Sequence, residues 1–364
     1  MECLEKHIWN NFTKEYIEQL SIDSPEEKIR KQVLINWDHI AKPLDGMGKF
    51  ETITAQIGAI TRTSDIDISK KAVIVMCADN GIVEEGVTQS DQKVTLQVAK
   101  SMAKKQSSVC KMAQAVGADV IVVDVGINSR EELSGVVNEK IRYGTRNFAK
   151  EPAMTQNEVV AAIATGIKMV YHCKRKGKNI IATGEMGIGN TTTSSAVIAA
   201  LLKCDADAVV GRGAGLSDSG LVRKRQVIAD ALGKYDLYHL SPLEVLQTVG
   251  GLDIAGLTGV CIGGAVYHIP IVLDGVISMA AALLAQKIVP GTKDYLIPSH
   301  KGKEPAINLL MKELDMEPVI YGDLALGEGT GAVMMFSLLD IALKIYDSRV
   351  TFSNIEVEQY KRFN

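Results

Sequence analysis

Apolar positions along this chain fall into two alternating rhythms. Short apolar runs, AVIVMC (72–77), DVIVVDVG (119–126), NIIATG (179–184) and IPIVLDG (269–275), end in polar or glycine-containing turns and are followed by longer stretches with apolar residues at helical spacing. Runs of this kind predict strands buried on both faces. Their alternation with helices predicts a parallel sheet covered on both sides, a doubly wound, Rossmann-like α/β fold. The first 62 residues read differently. Leu4, Ile8, Trp9, Phe12 and Ile17 recur at helical spacing, and Ser24-Pro25-Glu26-Glu27 has the form of a helix start, so an appended helical region is expected over residues 5–62. The best candidate for an exposed connection runs from Tyr235 to Pro242.

In doubly wound folds the ligand site lies outside the C-terminal ends of the strands. Asp79-Asn80-Gly81, Gly184-Glu185-Met186-Gly187 and Asp274-Gly275 each follow an apolar run and are expected there. Composition narrows the ligand. A net charge of -3 over 364 residues gives no general basic surface, which excludes nucleic-acid binding by phosphate neutralisation. The six cysteines are scattered without a C-x-x-C pair or a neighbouring histidine, so neither a zinc site nor a disulfide framework is expected, and a reducing cytoplasmic compartment fits. The N-terminal MECLEKHIWNNFTKEY mixes charges and amides where a secretory signal carries an unbroken apolar core. The most apolar stretch, GGLDIAGLTGVCIGGAVYHIPIVLDG, is punctuated by Gly, Asp and His and reads as buried helix and strand, not a membrane span.

Three loops carry candidate chemistry. ATGEMGIGNTTTSSAVIAALL (182–202) ends a strand, turns through spaced glycines and opens an apolar helix. Glycine permits close backbone approach, and the free amides of a first helical turn favour an anion. Gly187, Gly189, Asn190 and Thr191 are therefore a candidate phosphate cradle. A tight turn with a threonine N-cap fits the same residues. The loop is neither a Walker loop, since no Lys follows the last glycine, nor a G-x-G-x-x-G fingerprint. A second loop, VVGRGAGLSDSGLVRKRQVI (209–228), leads into Arg223, Lys224 and Arg225, which can pair with a phosphate or lie on a solvated helix face. In YGDLALGEGTGAVMMFSLLDIALKIYD (321–347), Glu328 sits between two glycines before a helix apolar enough to be buried. Such a carboxylate either caps its own helix, for about 0.5–1 kcal/mol, or faces a cleft as a general base whose pKa burial raises. Glu185 lies in another glycine loop, and two carboxylates in one cleft suit reactions through an oxocarbenium-like sugar. His300, in SHKGKEPA (299–306), is a candidate acid or phosphate partner, or a structural histidine.

Further segments bring these loops into one pattern. KPLDGMGKFE (42–51), ADNGIVEEGVTQSDQKVT (78–95), GVVNEKIRYGTRNFAKEPAMT (135–155), GEMGIGNTTTSSA (184–196), VGRGAGLSDSGLVRK (210–224), GGLDIAGLTG (250–259), PIVLDGVISMAAAL (270–283) and LGEGTGA (326–332) resemble, in order, motifs of the nicotinate-nucleotide:5,6-dimethylbenzimidazole phosphoribosyltransferase family. GEMGIGNTT and LGEGTGA together make the resemblance specific, and it spans almost the whole chain.

The resemblance implies a small helical domain over residues 1–65, completed by part of the C-terminal region, and a large α/β domain over 66–364, in a homodimer. The apolar helix near 252–266 suits a dimer interface. It implies transfer of ribose phosphate from nicotinate mononucleotide to a lower-ligand base, with small-molecule substrates and neither metal nor cofactor; a diphosphate-donor enzyme would need a D-D-x-x-x-T loop, which is absent. Glu328 is then the general base, and Glu185 positions substrate or steadies positive charge on the sugar. Gly187, Ile188, Gly189, Asn190, Thr191, Gly211, Gly213 and Lys224, with Ser299, Gly327 and Gly329, hold the nucleotide. Asn80, Ser90, Gln97 and Met186 border the base. Asn80 replaces the family's usual His, Ser90-Asp91-Gln92 departs from its pattern, and Gly302 replaces a Ser. The acceptor is therefore a benzimidazole, a purine or a phenol. A second reading is a base-binding subunit of the same family that acts only with a partner chain or has lost catalysis.

Overall fold

The structure, a computed structural model, describes residues 12–362. Leu4, Ile8 and Trp9 of the expected first helix lie outside them. Six strands, β1 (Lys71–Ala78), β2 (Ala118–Gly126), β3 (Val137–Asn138), β4 (Ile180–Met186), β5 (Ile271–Leu273) and β6 (Leu296–Pro298), form one sheet in the order β3-β2-β1-β4-β5-β6. Every neighbouring pair is parallel. The doubly wound α/β expectation is met, and the order reverses between β1 and β4, where such folds open a crevice.

Strand β1 shows why the sequence read as doubly buried. Ala72, Ile74, Met76 and Ala78 face one apolar layer, Val73, Val75 and Cys77 the other, and all are buried. The four expected strands are β1, β2, β4 and β5. The two-residue β3 and the three-residue β6 lie in stretches without an apolar run as long as the one around β5, and neither was expected.

The expected helical region is broken into helices Lys14–Glu18, Glu27–His39 and Lys49–Thr61. The latter two pack on the long helix Thr330–Ser348. Trp37 Nε1 donates to Thr54 Oγ1 at 2.8 Å, the Trp37 ring lies 5.2 Å from that of Tyr346, and Tyr346 OH donates to Ser64 O at 2.9 Å. These helices share one apolar cluster with Val73 and Val75 of β1 and Phe336 of the long helix. The 235–242 connection contains a short 3-10 turn, Leu237–His239, before helix Pro242–Val249, which starts with a Ser241/Glu244 capping box.

Helix Leu252–Tyr267 corrects an expectation. Its glycines lie against helix Gln156–Arg175 of the same chain so closely that a Cβ on Gly259 would stand 2.0 Å from Ile163 O, and one on Gly166 2.0 Å from Gly256 O. Residues 252–265 are all buried within one chain, so this helix is core and not a dimer interface. Among the described residues no helix is long and apolar enough to cross a membrane. Cys77, Cys110, Cys173, Cys204 and Cys261 are free thiols.

Backbone atoms, unlike side chains, cannot turn aside to admit a methyl group. Gly259→Ala therefore costs about 1–3 kcal/mol, measured as a drop in the urea midpoint at unchanged m-value. An unchanged midpoint would mean that the two helices do not touch as described.

Candidate active site

The C-terminal ends of β1, β4, β5 and β6 deliver Asp79, Glu185, Asp274 and Ser299-His300 to one rim. A cavity of about 340 Å³ opens there. One wall is apolar: Val94 and Val98, one turn apart on helix Lys93–Ala103, with Met186, Ile188, Ile277 and Leu326. The other walls are polar and include Glu185, Asp274, His300, Glu304 and Glu328.

Glu328 owes its position to backbone conformation. Gly327, Glu328 and Gly329 have φ of 82°, 61° and 96°, three successive left-handed residues, and a non-glycine residue held there costs on the order of 1 kcal/mol. Asp274 compensates. Its Oδ2 accepts from Gly329 N at 3.1 Å, and its Oδ1 accepts from Gly331 N at 2.9 Å and Ala332 N at 3.2 Å. Asp274 thus caps helix Thr330–Ser348, the role that sequence alone offered to Glu328. Released from it, the Glu328 carboxylate lies in the cavity, and Oε2 accepts from Val109 N, in the first turn of helix Ser108–Ala115, at 3.1 Å.

Glu185 is buried near the end of β4, and Gly327, left-handed at φ 82°, lies so close that a Cβ there would stand 2.7 Å from Glu185 Oε1. Burial pushes the Glu185 carboxyl up to about 8, with the charges of Asp253, Asp274 and Glu328 adding to it and a hydrogen bond from Asn190 opposing. Asn190 Nδ2 donates to Glu185 Oε2 and also, at 3.0 Å, to Asp253 Oδ2. Asp253 is wholly buried, which raises its carboxyl to about 6. Burial likewise raises Asp79.

Of the residues singled out from sequence, Glu185, Glu328, Gly187, Ile188, Asn190, Thr191, Gly213, Gly327, Ser90 and Met186 all line the cavity. Gly189 lines a smaller adjoining one of about 70 Å³. The other nucleotide candidates stand behind it. Lys224 is wholly buried, its Nζ donating to Thr191 Oγ1 at 2.9 Å and Gly211 O at 3.2 Å, and burial pushes it down to about 8. Ser299 lies beneath His300, and Gly329 is engaged by Asp274. Two base-pocket candidates also fall outside. Asn80 is buried under Gly187, whose added Cβ would meet its Nδ2 at 3.1 Å. Gln97 is exposed; Val94 and Val98 are the residues its helix turns to the cavity. The phosphate cradle is partly occupied by the chain itself, since Ile188 N donates to Thr95 Oγ1 at 3.2 Å, Asn190 N to Gly187 O at 3.0 Å, and Gly213 N to Glu304 Oε1 at 3.0 Å.

Asp253, Lys303 and Glu304 were not singled out for the site, and Asp274 was placed at its rim without a role. An Asp-Gly pair at a strand end was the one available signal, for Asp274.

The Glu185 pKa has a thermodynamic signature. Folding raises it from the ordinary 4.5 to about 8, so the folded form holds the proton more tightly. Its stabilising contribution is full below about pH 4.5 and is lost as pH rises to about 8, at about 1.4 kcal/mol per pH unit. Glu185→Gln removes this loss, so its stability relative to the parent grows between about pH 5 and pH 8. Urea unfolding at both ends of that window checks it; a constant difference would contradict the buried carboxyl.

A family model described as phosphoribosyltransferase matches residues 22–357. Nicotinate-nucleotide–dimethylbenzimidazole phosphoribosyltransferase of Ruminiclostridium cellulolyticum is 42% identical over 345 residues, 95% of this chain and 97% of its own length. The protein of the same name from Acetivibrio thermocellus is 43% identical over 324 residues, 89% of this chain and 92% of its own. The crystal structure of CobT from Thermus thermophilus superposes with a TM-score of 0.87 at 36% identity, covering 92% of this chain and 100% of that one. Matches at this identity that span nearly the whole of both chains show the family: the chain belongs to the nicotinate-nucleotide–dimethylbenzimidazole phosphoribosyltransferase family.

Proposed function

We propose that this chain transfers the ribose phosphate of nicotinate mononucleotide to 5,6-dimethylbenzimidazole or a related ring, forming an α-ribazole phosphate and releasing nicotinate. The observation that carries this is the meeting of Glu185 and Glu328 in one cavity that also has an apolar wall for a flat ring. Its volume of about 340 Å³ is in the range of small-molecule sites. The names of the relatives support the same reaction.

The chemistry follows from charge. The donor's pyridinium leaves with the electron pair of the C1′–N bond and becomes neutral, so departure needs no acid. A nitrogen of the incoming ring attacks the opposite face of C1′ and forms the new bond, which turns the β-linkage into α. The ring then carries positive charge, its remaining N–H becomes acidic, and the proton passes to Glu328 and on to solvent. Glu328 Oε2 is occupied by Val109 N, which leaves Oε1 for that N–H.

Glu185, its carboxyl pushed up to about 8 by burial, is mostly protonated at neutral pH and does not steady a cation by itself. A pyridinium beside it favours the ionised form, so the carboxyl gains its charge when the cationic donor arrives. Thr191, Gly213 and Lys303 face the cavity where a phosphate fits, with Lys224 holding Thr191 from behind. Glu304 has to yield Gly213 N to the phosphate. The partner-dependent or inactive subunit is the weaker reading, because both carboxylates are retained in the cavity.

We also propose that the chain works in the cytoplasm as a homodimer. On helix Thr330–Ser348, Met334 and Ile341 are exposed one heptad apart, with Leu338 and Ile345 half-buried on the same stripe. Light scattering should give twice the 39.3 kDa chain mass, falling to one chain in Ile341→Asp. A parent that stays monomeric at micromolar concentration contradicts the dimer.

With nicotinate mononucleotide and benzimidazole, purine or phenol acceptors, chromatography should detect nicotinate and a riboside phosphate. Glu328→Gln keeps the hydrogen bond to Val109 N but not the base, and should lower kcat by about 10²–10⁴ with little change in KM for the nucleotide. Near-parental turnover removes Glu328 from that role.

A further inference from the structure

We propose that His300 contacts substrate: its Nε2 enters the cavity as an unprotonated nitrogen and accepts a hydrogen bond from a ribose hydroxyl of the donor. The proposal rests on the donor assignment above.

The tautomer follows from the neighbouring serine. Ser299 Oγ lies 2.6 Å from Leu273 O and 2.9 Å from His300 Nδ1. A carbonyl oxygen only accepts, so the single hydroxyl proton of Ser299 goes to Leu273 O. Ser299 Oγ can then only accept from His300, which puts the ring proton on Nδ1. Asp274 Oδ1, 3.9 Å from that nitrogen, favours the same placement. In the neutral ring Nε2 is left as a lone-pair acceptor. Burial lowers the His300 pKa from its ordinary value, against the pull of Asp274.

The surroundings of Nε2 suit a ligand. Among the described residues it has no protein hydrogen-bond partner. The two residues beside it are glycines: a Cβ on Gly275 would stand 3.6 Å from Nε2, and one on Gly302 3.8 Å. His300, Gly275 and Gly302 all line the cavity. The opposite edge of the ring is pinned, because Gly331 approaches so closely that a Cβ there would lie 2.1 Å from Nδ1. A fixed ring thus shows one bare acceptor to the space that holds the donor.

What can meet it is limited by inventory. The ionised phosphate, the nicotinate carboxylate and the pyridinium of the donor offer no N–H or O–H, so the ribose hydroxyls are its donors. Such a bond strengthens as C1′ becomes positive and the sugar hydroxyls more acidic, which makes it worth more in the transition state than before it.

Two measurements test this. In protein labelled with ¹⁵N-histidine and free of substrate, the His300 Nε2 resonance should have the position of an unprotonated nitrogen, with Nδ1 coupled to a proton, and Ser299→Ala should mix the two tautomers. A protonated Nε2 overturns the proposal whatever the reaction. In turnover, His300→Ala should lower kcat/KM about tenfold with nicotinate mononucleotide. It should change it by less than about twofold with the one of the 2′-deoxy and 3′-deoxy donors that lacks the contacted hydroxyl. His300→Gln, whose amide oxygen can reach the place of Nε2, should recover part of the loss. Equal losses on all three donors overturn the ribose contact. A parent inactive with every acceptor would overturn the donor assignment and the ribose contact with it, while the resonances still report the tautomer.

Discussion

The site depends on the grip of one carboxylate on three backbone amides. Asp274 joins the end of β5 to the start of the last long helix through Gly329, Gly331 and Ala332. A carboxylate taken out of water loses its hydration, and the raised pKa of Asp274 registers that cost. Three N–H donors and the positive end of a helix offset it. The Gly327-Glu328-Gly329 backbone would otherwise relax from its left-handed conformation, and the Glu328 side chain would lose its aim.

Parallel strands start in one layer and finish in another, so whatever their ends carry is brought together. Here they carry acids. Asp79, Glu185, Asp253 and Asp274 all have raised pKa values because of burial. Asn190 separates two of them with one amide group, and Lys224 stays behind the glycine loop. The result is a rim in which Glu185 holds its proton at neutral pH and gives it up to solvent when a positively charged guest favours the ionised form. A pyridinium nucleotide, with its cation at one end of the ribose and its phosphate at the other, complements that arrangement.

Much of this was legible in the chain. Four strands, the parallel sheet and the placing of the 184–191 loop at its rim followed from apolar runs and from glycines placed after them, because those signals are local; the 326–329 loop follows no strand, and only the resemblance brought it to the same cleft. What required coordinates was relational. Nothing near Glu328 in sequence reveals that an aspartate at the end of β5 caps its helix. The periodicity of Lys93–Ala103 does not tell which of Val94, Gln97 and Val98 faces the cavity. A stretch as apolar as 252–267 reads the same whether it meets its own chain or another, and only the Gly166–Gly259 approach decides. Lys224 was visible as a cation near a glycine loop, but not its burial behind that loop.

The crossing of helices Gln156–Arg175 and Leu252–Tyr267 has a consequence for how the cavity admits its ligands. Backbones in direct contact have no rotamers to exchange, and β1, whose Met76 lies against Gly256, rests on that seam. The floor is therefore stiff. Ligand passage falls to the surface segments beside the cavity, 87–92, 211–216, 302–304 and 324–327, among which ties such as Gln89 to Gly215 and Glu304 to Gly213 are single hydrogen bonds. The molecule is built as a fixed hearth under a loosely latched cover.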